Sequence, residues 1–348
     1  MIYKCEIKKL LSSTKIHIVI VSMLMICSIM QITEIRNQIS MQGTTEEGYR
    51  EYIQKLEGPL TKEKEEYIEK EKQRLQSAIE KKQEMEDLYQ NDKISEEEYM
   101  SYNDEYIYAL SRTDSFDKIE QKYEEIKGNG GWFVYDTCWK LFLSTEVYNS
   151  ILLLAVVIMF SMYMGNEYSS GMWQYLESSK LGGKKTLITK CVITEVVTFM
   201  LTVVFNIARF IVFEFNKGLP LKSAPICSIE GFYHINSGVK IKTFCIEGVL
   251  IQSFMMSIIA LITLLIAYYS KNGMMALMVV GGVYAVPLLI KSQLGAGYAY
   301  TACGMINPMG SAKVLKNSIM IQRNILAIII LVLFIIMVVH KKTRNIIN

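Results

Sequence analysis

The sequence predicts an all-α, polytopic membrane protein with about six transmembrane helices and one extracytoplasmic helical insert. Three observations predict it. Six apolar runs, Ile16–Ile35, Val147–Gly165, Thr186–Phe213, Phe244–Tyr269, Gly273–Ile290 and Ile325–Val339, approach or exceed the ~20 residues that cross a hydrocarbon core. Between the first two lies a long charged stretch with helical periodicity. Charge is also partitioned: residues 34–145 hold 16 Lys+Arg against 26 Asp+Glu, a net of −10, whereas the other 236 residues hold 21 against 8, a net of +13, in a chain of +3 overall. The acid lies in the insert and the base around the membrane.

This pattern divides the chain into three regions: 1–35, an amphipathic N-terminal helix and the first span; 36–145, an extracytoplasmic acidic helical domain; and 146–348, a membrane domain with five spans. In the first, Tyr3, Ile7, Leu10 and Leu11 line one side of a helix and Lys4, Lys8 and Lys15 another. That is the pattern of a segment lying in the membrane surface, or of a basic flank to a span. The apolar stretch after it ends in Gln31-Ile32-Thr33-Glu34 rather than in small residues, so it reads as retained rather than cleaved.

Lys and Arg in the short loops orient the chain. Lys4, Lys8, Lys9, Lys15, Lys180, Lys184, Lys185, Lys190, Lys271, Lys341, Lys342 and Arg344 stand on the side of the termini, twelve against eight on the other. Both termini are therefore expected in the cytoplasm of a multi-pass, bacterial-type protein of the cell membrane. The fifth and sixth runs, at 18 and 15 residues, need tilt or local thinning, and five spans with a re-entrant piece is the alternative. Gly281, Gly282 and Pro287 in the fifth permit close packing and a bend.

Within the insert, Ile68, Leu75, Ala78, Met85 and Tyr89 recur with heptad-like spacing. Asn91-Asp92-Lys93 breaks that helix, and Ser95 followed three residues later by Glu98 is a capping box that starts the next. Tyr99, Tyr102, Tyr106 and Leu110, then Phe116, Ile119, Tyr123 and Ile126, predict a second and a third piece that end at Gly128-Asn129-Gly130-Gly131. Such a hairpin is either a solvated spacer or a receptor, a lid over an exit or, at −10, a docking surface for cationic peptides. Trp132, Phe133, Tyr135 and Trp139 read as a belt at the membrane interface.

Cys227 and Cys245 share one predicted outer loop, where oxidation can pair them. His17, His234 and His340 are too scattered for a zinc site. Gly182-Gly183-Lys184-Lys185-Thr186 lacks the spaced glycine of a phosphate loop and adjoins a span rather than a strand. No cofactor is expected in this chain. Basic residues track the membrane rather than one soluble face, so no nucleic-acid partner is expected either.

The inner loop after the second span reads Gly165-Asn166-Glu167-Tyr168-Ser169-Ser170-Gly171-Met172-Trp173-Gln174-Tyr175-Leu176-Glu177-Ser178-Ser179-Lys180. A serine at 169 or 170 can cap a short helix within 168–180. Met172, Tyr175 and Leu176 fall on one face and Trp173 on another, exposed and in want of a partner.

In the order Glu167, Ser170-Gly171, Leu176, Ser178-Ser179, Lys184-Lys185, this stretch resembles the permease subunits of ATP-binding-cassette (ABC) exporters of the type-2 membrane-domain family. The basic N-terminal helix, the six spans and an interruption after the fifth extend the resemblance to most of the chain outside the insert. It implies a coupling helix, with Glu167, Gly171, Met172, Trp173, Tyr175 and Leu176 facing a groove of a separate ATPase subunit that binds and hydrolyses the ATP. It also implies a second permease copy or paralogue in the bilayer. The function implied is ATP-driven export of a peptide or amphipathic compound, including antimicrobial-peptide export or immunity. The alternative is a non-transporting, mechanotransmitting or sensory membrane protein driven by an ATPase partner.

In the third span, Glu195, Thr202, Asn206 and Arg209 fall within about 40° of one another at 100° per residue. They are expected to form one stripe facing the bundle interior, either as a translocation path or as interhelical hydrogen-bond glue. Glu195 and Arg209 lie about 21 Å apart along the axis, which forbids a direct pair.

Overall fold

Among the described residues, four helices are long and apolar enough to cross a membrane: His17–Asn37, Thr137–Ser169, Lys185–Asn216 and Ile241–Ser270. A bent pair, Gly273–Leu289 with Lys291–Tyr300, turned by 65° at its break, makes a fifth if counted as one span. The chain is an all-α, multi-pass membrane protein. The structure, a computed structural model, describes residues 2–13, 16–178, 183–216, 218–313 and 325. The predicted sixth span beyond Ile325, Ser179-Lys180 and the basic tail lie outside the described residues.

In chain order the helices are α1 (Ile2–Ser13), α2 (Ile16–Leu56), α3 (Lys62–Glu80), α4 (Lys82–Gln90), α5 (Glu96–Lys127), α6 (Thr137–Leu143), α7 (Glu146–Ser169), α8 (Met172–Ser178), α9 (Gly183–Asn216), α10 (Ile241–Ser270), α11 (Gly273–Leu289), α12 (Lys291–Leu294), α13 (Ala302–Met305) and α14 (Pro308–Ser311). They gather into two compact units. A membrane unit draws on Met1–Ile32, Phe142–Phe215 and Thr243–Asn348, and a second, charged unit on Thr33–Leu141 and Asn216–Lys242. Residues 216–242, grouped by the sequence with the membrane domain, thus fold with the insert.

In the membrane unit α7 places Leu152, Val156, Phe160 and Met164 at four-residue spacing, and α10 places Met256, Ala260, Leu264 and Ala267 on a similar stripe, all fully buried. The approach of α11 to α7 is set by two glycines. A Cβ on Gly165 would lie 2.9 Å from the Gly273 Cα, and one on Gly273 would lie 2.5 Å from the Ser161 carbonyl oxygen. Small residues let backbones approach closely in lipid, where the tails supply no competing hydrophobic drive. Gly281 and Gly282, expected to serve packing, face open space instead. The expected bend comes after Pro287, and the segment beyond it folds into short helices that bury Cys303, Ile306 and Met309.

The charged unit has its own core, built on Tyr52, Ile53, Ile68, Leu75, Ala109, Phe116, Ile119 and Phe133. The capping box forms as the sequence requires, with Glu98 N–H donating to Ser95 Oγ at 3.2 Å and Ser95 N–H to Glu98 Oε2 at 3.1 Å. From there α5 runs unbroken for 32 residues, merging the two predicted pieces. Its middle carries Ser111 and Thr113, whose hydroxyls donate back to the Tyr108 and Ala109 carbonyls at 2.8 Å and so spend their turn-forming capacity on the helix itself. Two-residue strands, Gly58-Pro59 and Trp132-Phe133, pair antiparallel.

The expected aromatic belt is core instead. Phe133 and Trp139 are buried, the Trp139 indole donates to the Pro220 carbonyl at 2.8 Å, and the Tyr135 hydroxyl donates to Glu46 at 2.6 Å. Beside them Lys122 and Asp136 form a buried ion pair at 3.1 Å. Asp136 also accepts from the Tyr49 hydroxyl at 2.8 Å and the Glu230 N–H at 3.2 Å, and Lys122 donates to the Val134 carbonyl at 2.8 Å. Burial pushes the Lys122 ammonium down. Burial alone would raise the Asp136 carboxyl, but Lys122 and Lys140 outweigh it and hold the group below its ordinary value. Cys227, in this unit, and Cys245, in the membrane unit, are both free thiols, so the bridge that the shared loop left open is not formed.

Candidate functional site

One end of the membrane unit carries a short helix set on a ring of charges. The carbonyl end of α7 is closed by Gly171, whose φ of 68° a residue with a Cβ adopts only with strain. The chain reverses there into α8, which spans Met172–Ser178 rather than the wider 168–180 that the sequence suggests. Ser169 and Ser170 finish α7 and do not cap α8.

Trp173 is buried, not exposed. Its ring packs against Tyr168 at 5.7 Å and edge-on against Tyr268 at 5.4 Å, and the Tyr168 hydroxyl donates to the Tyr268 carbonyl at 2.9 Å. Trp173 therefore pins α8 to α7 and α10. Met172 and Tyr175 point away, Tyr175 with 78% of its surface exposed, while Leu176 is half-buried. The expected grouping of Met172 with Tyr175 holds, and the anchor expected to face a partner turns inward.

The ring of charges consists of Glu6 and Lys9 on α1, Glu167 on α7 and Lys190 on α9. Lys190 lies 2.7 Å from Glu6 and 3.0 Å from Glu167, and Lys9 lies 2.9 Å and 3.1 Å from the same two. The Tyr163 hydroxyl donates to Glu6 at 2.9 Å, and the Lys190 ammonium sits 3.7 Å above the Tyr163 ring. Two acids and two bases sum to zero, which is the condition for holding Glu6, Glu167 and Lys190 out of water with Lys9 half-buried at their edge. Burial alone would raise the Glu6 carboxyl; Lys190, Lys9 and Tyr163 outweigh it and keep the group below the ordinary 4.5. Lys9 is displaced upward, since the two carboxylates outweigh its partial burial.

Lys190, by its position one of the basic-loop lysines, is instead a buried structural cation. Glu6 escapes a search by periodicity, and its signal in the sequence is that it stands as the lone acid among the lysines of the first fifteen residues. On α1, Glu6 and Leu10 face inward while Tyr3, Ile7 and Leu11 are exposed, so Leu10 departs from the predicted apolar side.

From this ring a polar seam continues along α9. Lys190, Thr194, Thr198, Thr202, Asn206 and Arg209 are all buried. The Asn206 amide donates to Gln252 Oε1 on α10 at 3.0 Å, and Gln252 donates to Asn149 Oδ1 on α7 at 2.7 Å. Asn149 in turn donates to the Ile306 carbonyl at 3.1 Å, and Thr145 hydrogen-bonds Asn307. The Arg209 guanidinium donates to the Phe142 carbonyl at 2.9 Å and lies 5.3 Å and 5.1 Å from the rings of Phe142 and Tyr148. Thr202, Asn206 and Arg209 thus come together as expected.

Glu195 does not join them and is exposed. A projection on a straight helix assumes one fixed inward direction, but residues four apart advance by about 40° per step. The buried line through 190, 194, 198, 202 and 206 therefore winds around α9. At the level of Glu195 the inward position is Thr194. Asn149 and Gln252 were missed because a lone amide in an apolar run has no periodicity to announce it.

No family model matches this chain, nor does any curated protein or solved structure. The geometry of the site is the guide to its function.

Proposed function

We propose that the chain is the membrane-spanning permease subunit of an ATP-driven ABC exporter of the type-2 kind, worked by a separate ATPase subunit that docks on α8. The observation that carries this reading is the mounting of α8. Its Trp173 is locked into the membrane unit, its Met172 and Tyr175 are presented outward, and the helices on either side of it, α7 and α9, are tied to each other and to α1 through Glu167, Lys190, Glu6 and Lys9. A push on a helix so mounted moves α7 and α9 together instead of being absorbed in a loop.

The ATPase supplies the nucleotide chemistry, and this chain needs no cofactor. A second permease copy or paralogue completes the membrane pore, and the acidic unit stands outside the cell. Thr202, Asn206 and Arg209 are the residues assigned to the path of a peptide or amphipathic substrate, since the winding seam is the part of the spans that offers polar groups to it.

The test is co-purification in mild detergent. Tagged chain should retain an ATP-hydrolysing subunit, and M172A with Y175A should release it while W173A lowers stability first. Retention of no such subunit by the parent chain would end this reading. A mechanotransmitting protein is the second reading, favoured by the four to five described spans and by a charged unit built from two separate segments. Vesicles loaded with ATPase and candidate peptides separate the two, because only an exporter moves peptide across the bilayer.

A further inference from the structure

The charged unit holds a cleft of about 1050 Å³ walled by four separated stretches of chain: Glu46 and Tyr49 on α2, α5 between Asp117 and Glu125, residues 136–141, and Glu230 with Tyr233. Seven carboxylates and three lysines line it, a net of −4. Each lysine already has a carboxylate. Lys122 pairs with Asp136 at 3.1 Å, Lys140 with Glu230 at 2.6 Å and Lys118 with Glu46 at 3.9 Å, while Glu120 takes Lys72 from outside the cleft. Asp117, Glu124 and Glu125 remain, exposed and without an ion pair among the described residues. Asp117 and Glu124 stand on one side of α5, about 10 Å apart along its axis, with Gln121 between them. Their mutual repulsion opposes folding of the unit, and a cleft lined by one sign of charge focuses its field on what enters it. The half-buried Tyr233 registers that field, since burial and the carboxylates of Asp136, Glu230 and Glu125 together push its hydroxyl above the ordinary value.

We infer that this cleft is a binding site for an extended organic polycation, whose ammonium groups meet Asp117, Glu124 and Glu125 while its apolar stem lies along Tyr233. Size and spacing decide the class of ligand. Among the described residues no three carboxylate, imidazole or thiol groups converge closely enough to hold a metal ion. The volume matches the upper end of the ~300–1,000 Å³ typical of sites for organic molecules. A chain bearing several amines reaches from one free carboxylate to the next, whereas a single ammonium engages one. Anions are repelled, because Lys118, Lys122 and Lys140 are all held by carboxylates of the wall. Behind the free carboxylates the floor is fixed: Asp136 is buried and saturated by Lys122, the Tyr49 hydroxyl and the Glu230 N–H, so the walls are in place before a ligand arrives. The cleft lies wholly in the charged unit, so it holds whether or not an ATPase docks on α8.

Calorimetric titration of the full-length protein in detergent tests it, with spermine and a capped oligolysine peptide of equal charge as probes. At least one should bind, and which of them does so tells a free polyamine from a basic peptide segment. Asp117→Asn with Glu124→Gln and Glu125→Gln should weaken binding about tenfold, the scale of several exposed ion pairs. Unchanged hydrogen-exchange protection of α5 establishes that this variant is folded. Glu84→Gln with Asp87→Asn and Glu97→Gln removes the same charge from exposed positions off the cleft and should leave binding within about twofold, since salt screens distant charges. Tyr233→Leu should weaken binding about threefold and Tyr233→Phe should not, as a cation over an aromatic face requires. Failure of both probes to bind the parent would overturn the inference. So would equal losses in the two triple variants, which would make the effect one of net charge, or displacement of a bound probe by an equal concentration of Ca²⁺, which would make it one of screening.

Discussion

The two units solve the same problem, charges out of water, in opposite settings. In the charged unit the Lys122–Asp136 pair sits beside a conventional apolar core, and its spare bonding capacity is met locally by Tyr49, Val134 and Glu230. In the membrane unit the pattern is inverted. Ile26, Ile29, Val196, Met200, Met278 and Val283 are exposed, while Glu6, Glu167 and Lys190, with Lys9 half-buried beside them, and the amides of Asn149, Asn206 and Gln252 are inside. The difference teaches that burial in this protein has two meanings. In one unit polar groups are buried in spite of the solvent, and in the other because hydrocarbon is the worse alternative.

The largest test of this contrast removes one cation from each cluster. Lys190→Met leaves Glu6 and Glu167 to share Lys9 alone, and Lys122→Met leaves Asp136 with Lys140 4.0 Å away; each should cost up to about 3–5 kcal/mol, the scale of breaking a buried ion pair. The effects should be local. Proteolysis should free α1 in the first variant and cleave α5 in the second, and if both variants open the same unit the two clusters are not independent. Acid should discriminate further. A carboxyl held below its ordinary value contributes stability that is complete above the unfolded value and is lost as the pH falls through the folded one. The Glu6 contribution should therefore be present above 4.5 and disappear below it. Lys9, displaced upward, contributes below 10.5 and is lost above it. Protection of α1 against hydrogen exchange, measured across pH, reads both limits.

A smaller effect sharpens the packing side of the comparison. Gly273→Ala puts a methyl 2.5 Å from the Ser161 carbonyl oxygen and should cost about 1–3 kcal/mol by forcing α11 off α7, whereas Gly281→Ala, with open space around it, should be nearly neutral. Thermal unfolding in detergent compares the pair. The smallest expected change is Ser95→Ala in the charged unit, about 1 kcal/mol for the lost cap, read by urea unfolding. It should leave the membrane unit unaffected.

Much of the helical plan was written in local pattern. Apolar runs of adequate length, the heptad spacing of Ile68 and Leu75, and the Ser95–Glu98 box are properties of neighbouring residues, and each recurs in the structure because backbone hydrogen bonding and side-chain spacing act over one or two turns. The presence of a short helix after the second span was legible for the same reason, though not its bounds or its cap, as was the joint placement of Thr202, Asn206 and Arg209. What the sequence alone could not supply is direction. Whether Trp173 points in or out, whether Glu195 belongs with Thr202, and whether Trp139 meets lipid or a protein core each depend on which helix lies alongside.

Local spacing, then, determined that this chain forms long apolar helices, a charged helical hairpin and a short helix between two spans. Only the tertiary structure decided that Glu6 and Glu167, 161 positions apart, converge on Lys190, and that residues 216–242 fold with the insert. The reason is range. Helix formation is settled by groups a few residues apart, but the pairing of buried charges is settled by where separate helices are brought together, and no spacing in the sequence records that distance.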